Sequence, residues 1–178
     1  VGGIGWYLSK NNARKLNKRD GYLIVTLGWF MMSAVGALPY YLLGGQFTNF
    51  ADALFESVSG FTTTGSSVLT DIEVLPKAIL FWRAMTHWIG GMGIIVLTIA
   101  ILPLLGIGGM QLFLAEAPGP TADKLHPRIT ETAKRLWLLY VALTFIEIVI
   151  LLICGLNLFD SVTHSFATVS TGGFSTKN

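Results

Sequence analysis

The fold of this chain is decided by the stretch Asp52-Ala-Leu-Phe-Glu-Ser-Val-Ser-Gly-Phe-Thr-Thr-Thr-Gly65, a half-polar segment that ends in a hydroxyl-rich turn. A second copy follows 108 positions later as Asp160-Ser-Val-Thr-His-Ser-Phe-Ala-Thr-Val-Ser-Thr-Gly172-Gly173. Glycine tolerates unusual torsions, and backbone carbonyls with Thr or Ser hydroxyls can replace the water around a cation. Loops of this kind between membrane helices predict an ion-conducting protein.

The composition is that of an integral membrane protein. The 178 residues are 52% hydrophobic and only 12% charged, whereas soluble domains have about 25% charged residues. Mean hydropathy is +0.62. Three stretches are long enough to cross a hydrocarbon core of ~30 Å, namely 22–43, 78–105 and 136–155. We therefore expect an all-α integral membrane protein with repeated helix, re-entrant pore loop, helix units.

The basic residues predict the orientation of the chain. Of twelve Lys and Arg residues, five lie in 10–19 and four in 124–135. Short loops rich in Lys and Arg stay on the cytoplasmic side of a membrane. Both repeated segments then fall on the external face, and the basic clusters need no nucleic-acid partner.

The spans and loops divide the chain into four parts. Residues 1–21 are predicted to be the end of a preceding helix and a basic cytoplasmic loop, and 22–110 the first helix, pore loop, helix unit. Residues 111–135 form a cytoplasmic connection, and 136–178 the first helix and pore loop of a second unit. We expect a fragment of a longer chain, because the second unit lacks its closing helix.

The predicted ion-binding residues are the hydroxyl and glycine residues of the two turns: Thr62, Thr63, Thr64, Gly65, Ser170, Thr171, Gly172 and Gly173. The short helix before each turn points the negative end of its dipole toward the loop, which favours a cation there. One such turn alone would be an ordinary turn. Two copies at matching spacing favour a filter, and a ring in this style needs two further loops.

Three acidic residues lie near the predicted pore. Asp52 is expected to be the N-cap of the first short helix, which is too short to span a bilayer. Glu56 lies one turn further on and either attracts cations or pairs locally. Glu147 lies in the middle of the third span, where an acid either lines a cation path or pairs with a basic residue on another helix.

The second span carries Arg83, His87 and the glycine-rich stretch 90–93 near one another. For Arg83 we favour a structural role, by snorkelling or by pairing with Asp71, Glu73 or a helix end. A cation beside a cation path would hinder conduction unless it were neutralised. His87 is expected to cap a loop, and the glycines to let a pore helix approach closely.

Several motifs resemble the TrkH family of potassium-uptake subunits, within the Trk/Ktr/HKT superfamily. They include Gly60-Phe-Thr-Thr-Thr-Gly-Ser-Ser67, Trp88-Ile-Gly-Gly-Met-Gly-Ile94 and the stretches 75–83, 100–111 and 164–176. The similarity runs through nearly the whole chain. It implies four helix, loop, helix units around a potassium pore, with one key filter glycine from each loop.

The resemblance assigns those glycines to Gly65 and Gly173, with Gly172 possible if the second loop aligns one residue differently. Neither loop has the Gly-Tyr-Gly pattern of ordinary potassium channels. We therefore expect potassium and rubidium to be preferred over sodium by a modest margin. We expect no catalytic residue and no cofactor, and K⁺ at the filter residues only.

The resemblance also implies partners and a location. We expect a bacterial inner-membrane protein, a homodimer, and a nucleotide-binding regulatory subunit on the cytoplasmic face. Two alternatives remain from the residues themselves. One is a coupled proton or sodium symporter with broken helices. The other is an intramembrane serine hydrolase, with Ser59 as nucleophile and His87 or His164 as base.

Overall fold

The computed structural model describes residues 18–105 and 125–178, which form six α-helices and contain no β-strand. The helices are α1 (Lys18–Gly36), α2 (Leu38–Leu43), α3 (Phe50–Phe61), α4 (Lys77–Leu105), α5 (Leu125–Ile153) and α6 (Leu158–Val169). The predicted helix end at 1–8, most of the basic loop and residues 111–124 lie outside the described residues. The four-part division of the chain therefore stays a prediction.

Two stretches of described helix are long and apolar enough to cross a membrane. They are Val25–Leu43, with a mean hydropathy of 1.3, and Glu131–Ile153, with a mean hydropathy of 2.6. They coincide with the first and third predicted spans. The second predicted span coincides with α4, whose side chains after Gly93 lie outside the described residues.

The first span is broken near its end. α1 stops at Gly36, and α2 begins at Leu38 with Pro39 in its first turn. Proline fixes φ and lacks an N–H group, so it is tolerated at the start of a helix rather than inside one. The Gly36 carbonyl at this break accepts a hydrogen bond of 3.0 Å from the indole of Trp82 on α4.

α4 is the central helix of the described bundle, because it contacts α3, α5 and α6. Its glycines make the close approach possible. A Cβ on Gly90 would overlap the Phe61 carbonyl at the end of α3. A Cβ on Gly91 would lie 2.9 Å from the Ser170 side chain at the end of α6. The predicted close packing of this glycine face against a pore helix is confirmed, and it extends to both short helices.

A small apolar core fixes α3 against α2 and the start of α4. Its members are buried hydrophobic residues of these elements and the loops beside them: Ala37, Tyr40, Phe47, Ala53, Leu75, Ile79 and Leu80. The rings of Tyr40 and Phe47 lie 5.1 Å apart, within the range of favourable aromatic pairs. This packing sets the position from which the first loop leaves α3.

Candidate functional site: two paired loops

The two short helices begin with the same cap. The side-chain oxygens of Asn49 and Asn157 accept hydrogen bonds of 2.9 Å from the backbone N–H groups of Asp52 and Asp160. The prediction that Asp52 is the N-cap of α3 is therefore wrong. Its carboxylate lies in the first turn, where it accepts a hydrogen bond of 2.8 Å from the Thr48 hydroxyl and complements the positive end of the helix dipole.

The two helices also end with the same hydrogen bonds. In each, the residue after the C-cap donates to the carbonyl three positions back, and the next residue donates to the carbonyl five positions back. The bonds are Thr63 to Gly60, Thr64 to Ser59, Thr171 to Thr168 and Gly172 to Ala167, all between 2.8 and 3.0 Å. This is a Schellman ending, which normally has glycine in the left-handed conformation after the C-cap.

Threonine occupies that left-handed position in both loops. Thr63 has φ 55° and Thr171 has φ 57°, and they are the non-glycine residues with positive φ among those described. The left-handed conformation costs an L-residue roughly 1–2 kcal/mol. Strain of this kind persists where the surrounding structure enforces it and is found often at functional sites. Both loops therefore leave their helices through the same strained geometry.

The glycines two residues later also match. Gly65 has φ +78° and Gly173 has φ +98°, whereas Gly172 is not among the residues with positive φ. Because 108 positions separate Gly65 from Gly173, the backbone follows the same register as the sequence repeat. Gly173 is thus the conformational counterpart of Gly65.

The loops meet at these glycines. A Cβ on Gly65 would overlap the carbonyl oxygen of Gly172, so the two backbones are in contact there. Gly172 in turn lies against His87, because a Cβ on Gly172 would be 2.5 Å from the Nδ1 atom of that ring. A Cβ on Gly173 would have no described atom within 4 Å. Among the described residues, Gly65 is therefore in contact with the other loop, whereas the space beside Gly173 is free.

The hydroxyls of the C-cap residues bond back to their own helices. Thr62 donates to the Val58 carbonyl at 2.8 Å, and Ser170 donates to the Phe166 carbonyl at 2.7 Å. The Thr62 and Thr64 hydroxyl oxygens lie 2.8 Å apart. Donation uses the proton and leaves oxygen lone pairs, which are the part of a hydroxyl that a cation needs. The geometry thus brings hydroxyl and carbonyl oxygens together at both helix ends.

Behind the first loop lies a buried ion pair. The Arg83 Nε atom donates to Glu56 Oε1 at 2.8 Å, and the two side chains are 1% and 0% exposed. The predicted pairing of Arg83 with Asp71 or Glu73 is wrong, because the carboxylate that pairs with Arg83 is that of Glu56. Glu56 also accepts hydrogen bonds from the Ser67 hydroxyl and the Val68 N–H, so it holds the chain that follows the first loop.

Arg83 reaches the second loop as well. Its Nη1 atom donates to the Ser175 carbonyl at 3.1 Å, and its guanidinium lies 4.1 Å from the centre of the Phe174 ring. The His87 ring also stacks on Phe174, with the two ring centres 4.0 Å apart. Among the described residues neither nitrogen of His87 has a hydrogen-bond partner. The expectation that His87 caps a loop is therefore wrong.

The residues proposed for a hydrolase do not form a catalytic arrangement. The Ser59 hydroxyl donates to the Ser66 carbonyl at 2.6 Å. His164 bonds through Nδ1 to the Asp160 carbonyl at 2.8 Å, and its Nε2 lies 3.5 Å from the Ser175 hydroxyl. The Ser59 hydroxyl makes no hydrogen bond with either histidine in the described part of the chain. These residues support the loops instead.

Glu147 is half-buried on α5. It makes no hydrogen bond or ion pair with the residues of 18–105 and 125–178 for which contacts are described. Its role, as a pathway residue or as a partner of a basic residue, stays a prediction.

Sequence reasoning missed the residues that anchor the loops. Ser67 and Ser175 each lie two positions after a positive-φ glycine, and both are contacted by Arg83. The two N-cap asparagines were missed as well. The repeat offers a signal for all of them, because Asn49 with Asn157 and Ser67 with Ser175 are also 108 positions apart.

Comparison with known proteins identifies the family. The model of the TrkH family, described as a cation transport protein, matches residues 1–178. The chain belongs to this TrkH family. It is 51% identical over 177 residues to the Trk system potassium uptake protein TrkH of Escherichia coli (strain K12), an alignment that covers 99% of this chain and 37% of that protein.

Two further relatives agree with this TrkH assignment. The Trk system potassium uptake protein TrkG of Escherichia coli (strain K12) is 45% identical over 99% of this chain and 36% of its own length. The crystal structure of the potassium transporter TrkH from Vibrio parahaemolyticus superimposes with a TM-score of 0.81 at 44% identity, over 98% of this chain and 34% of that one. The chain thus spans little more than a third of the length of its relatives.

These matches decide several of the sequence predictions. The family resemblance is confirmed over the whole chain. The all-α membrane architecture is confirmed, because the described residues are helical and superimpose on a membrane transporter. The prediction that the protein is not an enzyme is also confirmed, since the relatives are transport proteins.

Proposed function

We propose that this chain supplies two of the four pore loops of a potassium uptake pore. In this proposal, residues 62–65 and 170–173 form half of a selectivity filter, with Gly65 and Gly173 as the equivalent glycines. The observation that carries the proposal is the matched backbone of the two loops and their contact between Gly65 and Gly172. The uptake of potassium named for the relatives supports the choice of ion.

The local electrostatics favour a cation at this position. α3 and α6 both end at the loops, and the C-terminal end of a helix carries partial negative charge. The cationic side chain of Arg83, which contacts the segments after both loops, is paired with the Glu56 carboxylate and therefore presents little net charge to the path. Carbonyl and hydroxyl oxygens at the helix ends would replace part of the ion's hydration shell.

The orientation and partners complete the proposal. The basic clusters at 10–19 and 124–135 lie on the cytoplasmic side of a bacterial inner membrane, and both loops lie on the external side. The cytoplasmic segments contact a nucleotide-binding regulatory subunit, and two copies of the full-length protein associate. The protein needs no cofactor other than the ion that it transports.

Ion flux through the full-length protein in liposomes tests this proposal. We expect uptake of K⁺ and Rb⁺ to exceed that of Na⁺ by a modest margin. Gly65→Asp and Gly173→Asp should abolish Rb⁺ uptake or change its selectivity, because each places a carboxylate side chain at a strained loop position. Gly45→Asp and Gly155→Asp are matched controls, since both positions have positive φ and lie outside the loops.

Two results would contradict the proposal. Unchanged uptake and selectivity in both loop variants, at equal amounts of protein in the membrane, would remove the filter assignment. Uptake that depends steeply on an imposed proton or sodium gradient would favour a coupled symporter over a pore.

A further inference from the structure

The side chain of Arg83 contacts three separate segments of the chain. Its Nε donates to Glu56 on α3, its Nη2 lies 3.3 Å from the Ser67 hydroxyl, and its Nη1 donates to the Ser175 carbonyl. Ser67 follows the first loop and Ser175 follows the second. One guanidinium therefore binds the segments after both loops at the same time.

These contacts lie close to the paired glycines. Ser67 is two residues after Gly65, and Ser175 is two residues after Gly173. Two residues of extended chain span at most about 7 Å. A shift of either serine is therefore transmitted to the carbonyls of the neighbouring glycine with little slack to absorb it.

The arrangement suits arginine in particular. The guanidinium is planar and offers donors in a fixed fork, so it can hold three partners in a set geometry. Its face is also covered by Phe174, which is the residue between Gly173 and Ser175. A lysine ammonium is a single point of charge on a flexible stem and cannot reproduce this spacing.

We propose that Arg83 is a positioning residue for ion selection, which fixes the distance between the two loops by binding Glu56, Ser67 and Ser175 together. The inference rests on the proposed function of the loops as half of a filter. Arg83 acts here through the loop backbone and does not touch the ion. Its charge is neutralised by Glu56, so through-space repulsion of cations is not its role.

The test measures the ratio of Rb⁺ to Na⁺ uptake by the full-length protein in liposomes. Arg83→Lys keeps the charge and loses the fork. Arg83→Gln combined with Glu56→Gln removes both charges. The double variant avoids the unpaired buried ion that either single variant would leave, and such an ion would endanger folding. We expect both to bring the Rb⁺ to Na⁺ uptake ratio close to one, so that the modest preference of the wild-type protein is lost.

Milder variants keep the test decisive if those proteins fail to reach the membrane. Ser67→Ala removes one hydroxyl that contacts both Arg83 and Glu56, and we expect a partial fall of the ratio, by about twofold. Ser66→Ala is its matched neighbour, because the Ser66 hydroxyl has no hydrogen bond among the described residues. Arg135→Gln is the control for loss of an arginine, since its pair with Glu131 is exposed.

The outcomes separate this inference from the proposed function. A wild-type protein without selective Rb⁺ uptake would overturn the proposed filter. A selective wild-type protein whose Arg83→Lys, Arg83→Gln/Glu56→Gln and Ser67→Ala variants keep the wild-type ratio would overturn the positioning role alone. Equal increases in Rb⁺ and Na⁺ flux at an unchanged ratio would also overturn it, because they would indicate a through-space effect of charge. A lower ratio in these variants, with unchanged controls, supports it.

Discussion

The loop after α3 and the loop after α6 have the same backbone conformation but are held by different side chains. Both helices begin at an asparagine cap and end in a left-handed threonine, with a positive-φ glycine two residues after it. These features depend on hydrogen bonds within each short segment. Both copies therefore have them, although they lie at different places in the bundle.

The side chains that hold the loops differ at equivalent positions. Glu56 corresponds to His164, 108 positions later, and each reaches the serine that follows its own loop. Glu56 is fully buried and bonded to Arg83, whereas His164 is partly exposed and lies 3.5 Å from Ser175. The first loop is thus held through a carboxylate that is ion-paired with Arg83, whereas the second is held by the Arg83 donation to the Ser175 carbonyl and by the longer contact with His164.

The comparison shows which properties belong to the repeat and which belong to the surroundings. Local hydrogen bonds fix the shape of each loop, so the shape repeats. Packing by α4 fixes the position of each loop, and α4 meets the two helix ends with different residues. We therefore expect changes in loop shape to act alike in both loops and changes in packing to act differently.

The largest expected difference in selective Rb⁺ uptake is between the Gly65→Ala and Gly173→Ala variants. A methyl group at Gly65 would collide with the Gly172 carbonyl, whereas one at Gly173 meets no described atom within 4 Å. Gly173→Ala should add the strain of positive φ, roughly 1–2 kcal/mol, without a clash among the described residues. Gly65→Ala must in addition move the second loop, so we expect it to abolish selective Rb⁺ uptake while Gly173→Ala retains part of it.

Matched glycines isolate the steric part of this effect. Gly45 has φ +68° and Gly155 has φ +95°, close to the values at Gly65 and Gly173, and neither would place a Cβ within 4 Å of a described atom. Gly45→Ala and Gly155→Ala should leave the uptake ratio of Rb⁺ to Na⁺ unchanged. If Gly65→Ala and Gly173→Ala lose selective Rb⁺ uptake to the same extent, the contact between Gly65 and the Gly172 carbonyl is not what makes Gly65 more sensitive.

Much of this arrangement could be predicted from the sequence, because it depends on local pattern. The apolar stretches indicated the spans, and the repeat with an offset of 108 indicated the two short helices and their turns. The glycine face of α4 indicated close packing. The predicted cap of the first short helix, Asp52, lies three residues after the observed one, since Asp52 and Asn49 are both common cap residues and the pattern alone does not choose between them.

The contacts between the segments could not be predicted in this way. Arg83 has several acids within reach along the sequence, and only the approach of α4 to α3 selects Glu56 over Asp71 or Glu73. The same is true of His87, whose contacts with Gly172 and Phe174 join residues far apart in the chain. Long-range pairing depends on how helices pack, and a hydrophobic pattern does not specify it.

A smaller effect is expected where Gly172 packs against His87. A Cβ on Gly172 would lie 2.5–2.6 Å from three atoms of the imidazole ring, so Gly172→Ala must push this buried ring aside. We expect Gly172→Ala to reduce Rb⁺ uptake and His87→Ala in the same protein to restore it partly, because the smaller side chain leaves room for the methyl group. Overpacking of this kind typically costs 1–3 kcal/mol.

The rescue distinguishes a steric contact from a chemical role of the imidazole. His87→Ala alone is the control, and it also removes the stacking on Phe174. If His87→Ala/Gly172→Ala is no better than Gly172→Ala, the ring is not what limits the second loop at this position.

The smallest expected effects are at the helix caps. The two caps should respond alike to alanine and differently to aspartate. Asn49→Ala and Asn157→Ala each remove one hydrogen bond of 2.9 Å to the third helical residue. Each should lower stability by about 1 kcal/mol. The midpoint of thermal unfolding of the full-length protein in detergent measures this loss.

Aspartate is as good an N-cap as asparagine, yet the Asn157 amide also donates to the Asp160 carboxylate at 2.7 Å, whereas the Asn49 amide faces the Thr48 hydroxyl. Asn157→Asp would set two carboxylates against each other, so it should lower the midpoint more than Asn49→Asp, and added salt should reduce the difference because exposed charges are screened.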